Sequence, residues 1–151
     1  MFASEAAASP PPPESAARSD CVFCGIVAGR LPAQRIDEDE RTVAFLDINP
    51  WTRGHTLVVP RAHSESILDA PDDDLAAVAL ATRRVAERLR RKLGCAGVNV
   101  FSAAGSVAWQ TVFHFHVHVI PRYRDDGLEP PITPRPADAE QLAALAEQLR
   151  G

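Results

Sequence analysis

The stretch Phe113-His114-Phe115-His116-Val117-His118-Val119 alternates strictly between imidazoles and apolar side chains. Successive side chains of an extended chain point to opposite faces of a sheet, so this run predicts a strand over residues 112–120. Phe113, Phe115, Val117 and Val119 are expected in a core. His114, His116 and His118 are expected together on the other face, roughly 6–7 Å apart. The chain holds five histidines in all, so three on one face are more than a solvated surface requires. Two chemistries use such a face. Imidazoles two residues apart can grip a catalytic metal ion. Alternatively, one is a nucleophile or general base while the others orient it and bind charge. The flanks favour the second: Gly105, Gln110 and Thr111 supply a flexible turn and two side-chain donors suited to phosphate oxygens. A metal site calls for nearby carboxylates, and none occurs between Val98 and Arg122.

The rest of the chain supplies one domain around that strand. Its 151 residues can bury one sizeable core. A net charge of -4 argues against a partner that is nucleic acid, and no apolar run approaches the roughly 18 residues of a membrane span. Residues 1–19 are mostly Ala, Pro and Ser and are expected to be disordered. They lack a signal-peptide pattern, which implies a cytoplasmic setting with reduced thiols. A short helix is expected over residues 22–28, ended by Gly29. Strands are expected at Arg35–Glu38, Thr42–Leu46, 56–59 and 97–102. A long helix is expected over residues 71–93. It has Asp72, Asp73 and Asp74 at its start, an apolar face of Leu75, Val78, Thr82, Val85 and Leu89, and Gly94 at its end. Arg88, Arg90, Arg91 and Lys92 read as a solvated face complementing the helix dipole. Residues 130–136 read as a stiff linker and 138–150 as a final amphipathic helix. Strands outnumber helices without regular interleaving, which predicts an antiparallel α+β domain.

Cys21 and Cys24 form a CxxC pair, open to three readings: a redox dithiol, half of a zinc site, or two core cysteines. A zinc site needs two further ligands, and histidines are the suitable residues. Cys95 reads as a small buried hydrophobe.

The segment from Gln110 to Arg122 resembles the signature of the histidine triad (HIT) superfamily. Cys21–Arg30, Ala44–Pro50 and Gly54–His63 resemble earlier blocks of that family in the same order, closest to its bacterial Hint-like branch. The resemblance spans residues 20–124, leaving 125–151 as linker and terminal helix. It implies a five-stranded antiparallel sheet with one long and one C-terminal helix, and a homodimer with one continuous sheet. It also implies a nucleotide hydrolase or transferase acting on purine nucleotide conjugates through a nucleotidyl-histidine, with a dinucleoside polyphosphate hydrolase or a slow regulatory module as alternatives. By the resemblance His116 is the nucleophile, His118 and His55 surround the phosphate, and Gln110 and Thr111 contact the phosphate or leaving group. Asp47 receives the ribose hydroxyls, although alone it reads as a turn residue. Phe23, Ile26, Phe45 and Ile48 form the base pocket. Cys21, Cys24, His63 and His114 are the expected ligands of a structural zinc, with no organic cofactor. Two departures stand out. Ala103 replaces the family's usual Asn, and Trp109 replaces a Gly, placing a bulky ring beside the site, where it is expected to contact the nucleotide by stacking on a base or narrowing the leaving-group pocket.

Overall fold

The computed structural model describes residues 18–151. The expectation of disorder over residues 1–19 falls almost wholly outside them. Arg18 itself is tied in, its backbone N–H lying 3.4 Å from Cys24 Sγ. Along the chain come α1 (Val22–Val27), β1 (Arg35–Glu38), β2 (Thr42–Leu46), β3 (Thr56–Pro60), α2 (Asp72–Leu93), β4 (Gly97–Phe101), β5 (Val117–Arg122) and α3 (Ala139–Arg150). The strands form one antiparallel sheet in the order β1-β2-β3-β5-β4, the α+β architecture read from the sequence.

Alternation along the strands divides the core in two. Ala44, Val58 and Val119 face α2 and pack with Val78, Ala81, Val85 and Leu89. Burying a Val or Leu side chain stabilises the fold by roughly 1.5–3 kcal/mol, so this helix face is a large share of the core energy. Val43, Phe45, Leu57 and Val59 face the other way and pack against Phe23 and Ile26 of α1. Arg88 does not simply belong to a solvated face: it reaches across to Asp37 at 2.9 Å and to the Ile36 carbonyl, pinning α2 to β1. Helix α3 buries no residue, so its amphipathic face is unpartnered among the described residues.

The histidine strand starts later than its alternation predicts. β5 begins at Val117, pairing with Val58, and His114 and His116 precede it. The physical reason lies in β3. Its last residue is Pro60, which has no N–H to continue the ladder. The chain instead bonds Phe115 N–H to the Ser64 carbonyl at 2.8 Å. Released from the sheet, Phe113 is 46% exposed rather than part of the core, whereas Phe115 and Val119 are buried as expected.

Gly54 lies just before β3 with φ +91°, in the left-handed region. A Cβ there would stand 2.5 Å from Leu93 Cδ1 and 3.2 Å from Pro121 Cγ. Strain and overpacking together predict that Gly54→Ala lowers stability by about 3 kcal/mol, read from the urea midpoint.

Candidate active site and metal centre

Sheet register builds the floor of the main cavity. Phe45 pairs with Leu57, Leu57 with His118, and His118 with Phe101, a row across β2, β3, β5 and β4. All four residues line a cavity of about 550 Å³, within the usual range of small-molecule sites. Val22, Phe23 and Ile26 of α1 and the Asp47-Ile48-Asn49 turn supply further walls, and His116, Trp109 and Thr111 line it from the segment before β5. Ile48 is 91% exposed at the rim. Trp51 and Phe101 also line the cavity and were not expected from the sequence. Finding Phe101 requires the β4–β5 register, which spacing along one strand does not contain.

Backbone hydrogen bonds assign the proton on each imidazole. His116 Nδ1 lies 2.6 Å from the His114 carbonyl and donates to it, which leaves the Nε2 lone pair free. His55 works in the opposite sense. Its Nδ1 accepts the Trp51 backbone N–H at 3.0 Å, so its proton sits on Nε2 and is donated to His118 Nδ1 at 2.9 Å. His118 then carries its proton on Nε2. Two imidazoles with ring centroids 5.0 Å apart thus present a lone pair and an N–H donor side by side. His55 is buried and does not line the cavity; it acts by setting the tautomer of His118.

Burial keeps these rings neutral. It lowers the pKa of His116 and of His55. Burial first, then His116 and His55, brings His118 to about 4 from an ordinary 6.5. Between those values the unfolded chain binds more protons than the folded one, so stability present at pH 7 declines as pH falls from 6.5 towards 4 and levels off below. His118→Gln, which cannot titrate, should make that decline shallower, the other buried imidazoles keeping theirs, when urea midpoints are followed against pH.

Asp47 serves its turn and still faces the site. Oδ1 accepts the Asn49 N–H at 2.8 Å, and Oδ2 lies 3.6 Å from His55 Nε2. Gln110 is placed differently from the expectation. Its side chain is buried and spent on the backbone, donating to the Glu65 carbonyl at 2.6 Å and accepting from Gly105 N–H at 2.8 Å. It braces the loop rather than lining the cavity, and Thr111 is the donor left at the wall.

The other three predicted ligands gather with His114 in a second cluster. Cys21 is the N-cap of α1, so Cys24 lies one turn on and both sulfurs face the same way. Sγ of Cys21 and of Cys24 each lie 3.5 Å from His114 Nδ1, and Cys24 Sγ is 3.4 Å from His63 Nδ1. Zinc–sulfur and zinc–nitrogen bonds in a tetrahedron put sulfur and nitrogen about 3.5 Å apart, so the four donors fit that ion. His114 Nε2 donates to the Pro60 carbonyl at 2.9 Å, leaving the Nδ1 lone pair on the sulfur side. Asp47, His55 and His118 also cluster, but His55 Nε2 holds the proton there and cannot ligate a cation without losing the Trp51 bond. The two histidine groups are chemically distinct, and the alternating triad is divided between them.

A family model described as HIT domain matches residues 28–125. The chain belongs to the HIT-domain family. Its structure is similar to that of SMU.412c from Streptococcus mutans, with TM-score 0.86 and 35% identity, covering 91% of this chain and 87% of that one. It is 43% identical to a zinc-bound histidine triad family protein from Mycobacterium smegmatis, with TM-score 0.70, covering 87% and 96% of the two chains. A histidine triad nucleotide-binding protein from Candida albicans matches at TM-score 0.77 and 30% identity, covering 86% and 94%. Among the described residues no helix is long and apolar enough to cross a membrane.

Proposed function

We propose that the protein is a hydrolase or transferase acting at the α-phosphate of purine nucleotide conjugates, phosphoramidates foremost. The observation that carries this reading is the paired assignment of tautomers: a free lone pair on His116 Nε2 beside a donor on His118 Nε2. His116 attacks phosphorus and the P–N bond breaks. His118 stabilises the charge on the phosphoryl oxygens, with Thr111 as a second donor. Water then attacks the nucleotidyl-histidine. Over the cycle one water is consumed: a proton ends on the amine and a hydroxyl on phosphorus. The purine lies among Phe23, Ile26, Phe45 and Ile48, with the ribose hydroxyls on Asp47. The nucleotide-binding relative from Candida albicans supports this class of ligand.

Cys21, Cys24, His63 and His114 hold a structural zinc, which ties α1 and the loop after β3 to the segment before β5. β4 is at the sheet edge, and two copies pair along it in a homodimer. The setting is cytoplasmic, with neither nucleic acid nor membrane as partner. A slow, regulatory version of the same chemistry has one observation in its favour: Gln110 is withdrawn into the loop. Incubation with adenosine 5′-phosphoramidate tests the reading. Release of AMP through an adenylylated enzyme is expected, whereas tight binding without turnover favours the regulatory version.

A further inference from the structure

Two aromatic rows meet at His116 and His118, and they differ in kind. On one side Phe45, Phe23 and His116 touch edge to face, with centroids 5.4 and 5.1 Å apart. On the other side His118, Phe101 and Trp51 lie face to face, His118 on Phe101 at 4.4 Å and 10° and Phe101 on Trp51 at 5.4 Å and 29°. The first row belongs to the base pocket. Beyond His118, the second has no role in the reading above, yet Trp51 is 54% exposed and lines the same cavity.

Two more observations bear on what the second row receives. Trp109, also on the cavity wall and 69% exposed, sits at φ 73° in the left-handed region. A side chain kept there at an energetic cost marks a functional constraint more often than an accident. The cavity lining among the described residues includes Asp47 and no Lys or Arg. A leaving group with a phosphate chain would bring negative charge to a wall that holds a carboxylate and no cation.

Resting on the assignment of the α-phosphate to His116, we propose that the Trp51–Phe101 face is the leaving-group subsite, and that it selects an amine bearing a flat, uncharged aromatic ring over a phosphate chain. With the base on the Phe23 side and phosphorus at the two histidines, a group on the far side of phosphorus extends over Phe101 and Trp51. The bond formed is His116 Nε2–P and the bond broken is P–N; the departing nitrogen takes the proton of His118 Nε2, and the water that later hydrolyses the adduct leaves its hydroxyl on phosphorus and returns a proton to His118. Stacking on an aromatic face is strong enough that a flat ring should be preferred about tenfold over a saturated one.

The test compares adenosine 5′-phosphoramidates of 2-phenylethylamine and 2-cyclohexylethylamine, which differ in the flatness of the ring, with diadenosine triphosphate as the charged competitor. The full chain is expected to favour the phenyl conjugate about tenfold in kcat/KM and to turn over the triphosphate more slowly than either. In Trp51→Leu and in Phe101→Leu the ratio of the two phosphoramidates should collapse towards one. The ratio is the readout because a shifted His55 or a loosened fold affects both substrates alike. Equal rates in the native chain, an unchanged ratio in both variants, or faster hydrolysis of the triphosphate overturns the subsite. If neither phosphoramidate is hydrolysed, the phosphoramidase reading fails, and calorimetric dissociation constants of the same pair decide the subsite. Tighter binding of the phenyl conjugate that Trp51→Leu abolishes upholds it, and equal binding overturns it.

Discussion

In His116→Ala, kcat/KM for adenosine 5′-phosphoramidate is expected to fall by about 10^4-fold or more, since removal of a covalent nucleophile leaves only the contribution of the rest of the site. His118→Ala should cost about 10^2-fold, the usual effect of losing one donor to a developing oxyanion. The inequality follows from the hydrogen bonds. The His114 carbonyl fixes His116 with its lone pair outward, and the other imidazole lining the cavity among the described residues, His118, carries a proton on its Nε2. The donor role is shared: Thr111 also lines the wall. Binding of AMP should survive His116→Ala, because the apolar pocket and Asp47 are untouched. Steady-state rates, together with mass spectrometry of rapidly quenched enzyme, check this. The native chain should carry an adenylyl adduct that the variant lacks. A variant retaining a tenth of the native rate would sink the assignment of His116.

Most secondary structure was legible because its signals are local. The acidic first turn, the apolar spacing and Gly94 place α2 within a residue, and Gly94 ends it at φ 65°. β1 and β2 fall on the predicted residues. The start of β5 was not legible, since alternation reports the conformation of a segment and not whether a partner is available. Pro60, distant in sequence, ends that partner's ladder. The same limit hid Phe101, whose place beside His118 is a matter of register, and Trp51, whose place depends on the fold of the Asn49–Gly54 turn.

The candidate site was legible in identity more than in arrangement. The four cysteine and histidine donors converge as the resemblance implied. Spacing alone placed three imidazoles on one face, but His114 turns towards the cysteines and only His116 and His118 reach the cavity. Gln110 shows why residue type is a weak guide to role. An amide suits a phosphate oxygen and a backbone carbonyl equally well, and here the loop carbonyls are its partners. Trp109 is the reverse case. The left-handed backbone at that position accounts for the family's glycine, which accepts it without strain, and not for the tryptophan that stands there.

Removal of zinc by a chelator is expected to lower the melting temperature by about 10 °C or more. An ion held a thousandfold below its working concentration stabilises by about 4 kcal/mol, and each kcal/mol moves a chain of this size by roughly 2–4 °C. The size of the effect has a structural cause. The donors come from the first turn of α1, the loop after β3 and the segment before β5, which otherwise share few backbone bonds; Phe115 N–H to the Ser64 carbonyl is one. Without an ion, burial pushes the Cys24 thiol up, so that sulfur stays protonated and offers only weak contacts. Cys24→Ser should show the same lowered melt with no further response to chelator, and restored zinc should recover the native chain but not the variant. Elemental analysis sets the outcome that matters: a chain stripped of zinc that melts at its original temperature rules out a structural ion. Activity separates this role from a catalytic one. His116 and His118 lie outside the cluster, so below the lowered melt the stripped chain should keep the proposed nucleophile. The His114 carbonyl that orients His116 is then less firmly held, and turnover should fall several-fold rather than vanish.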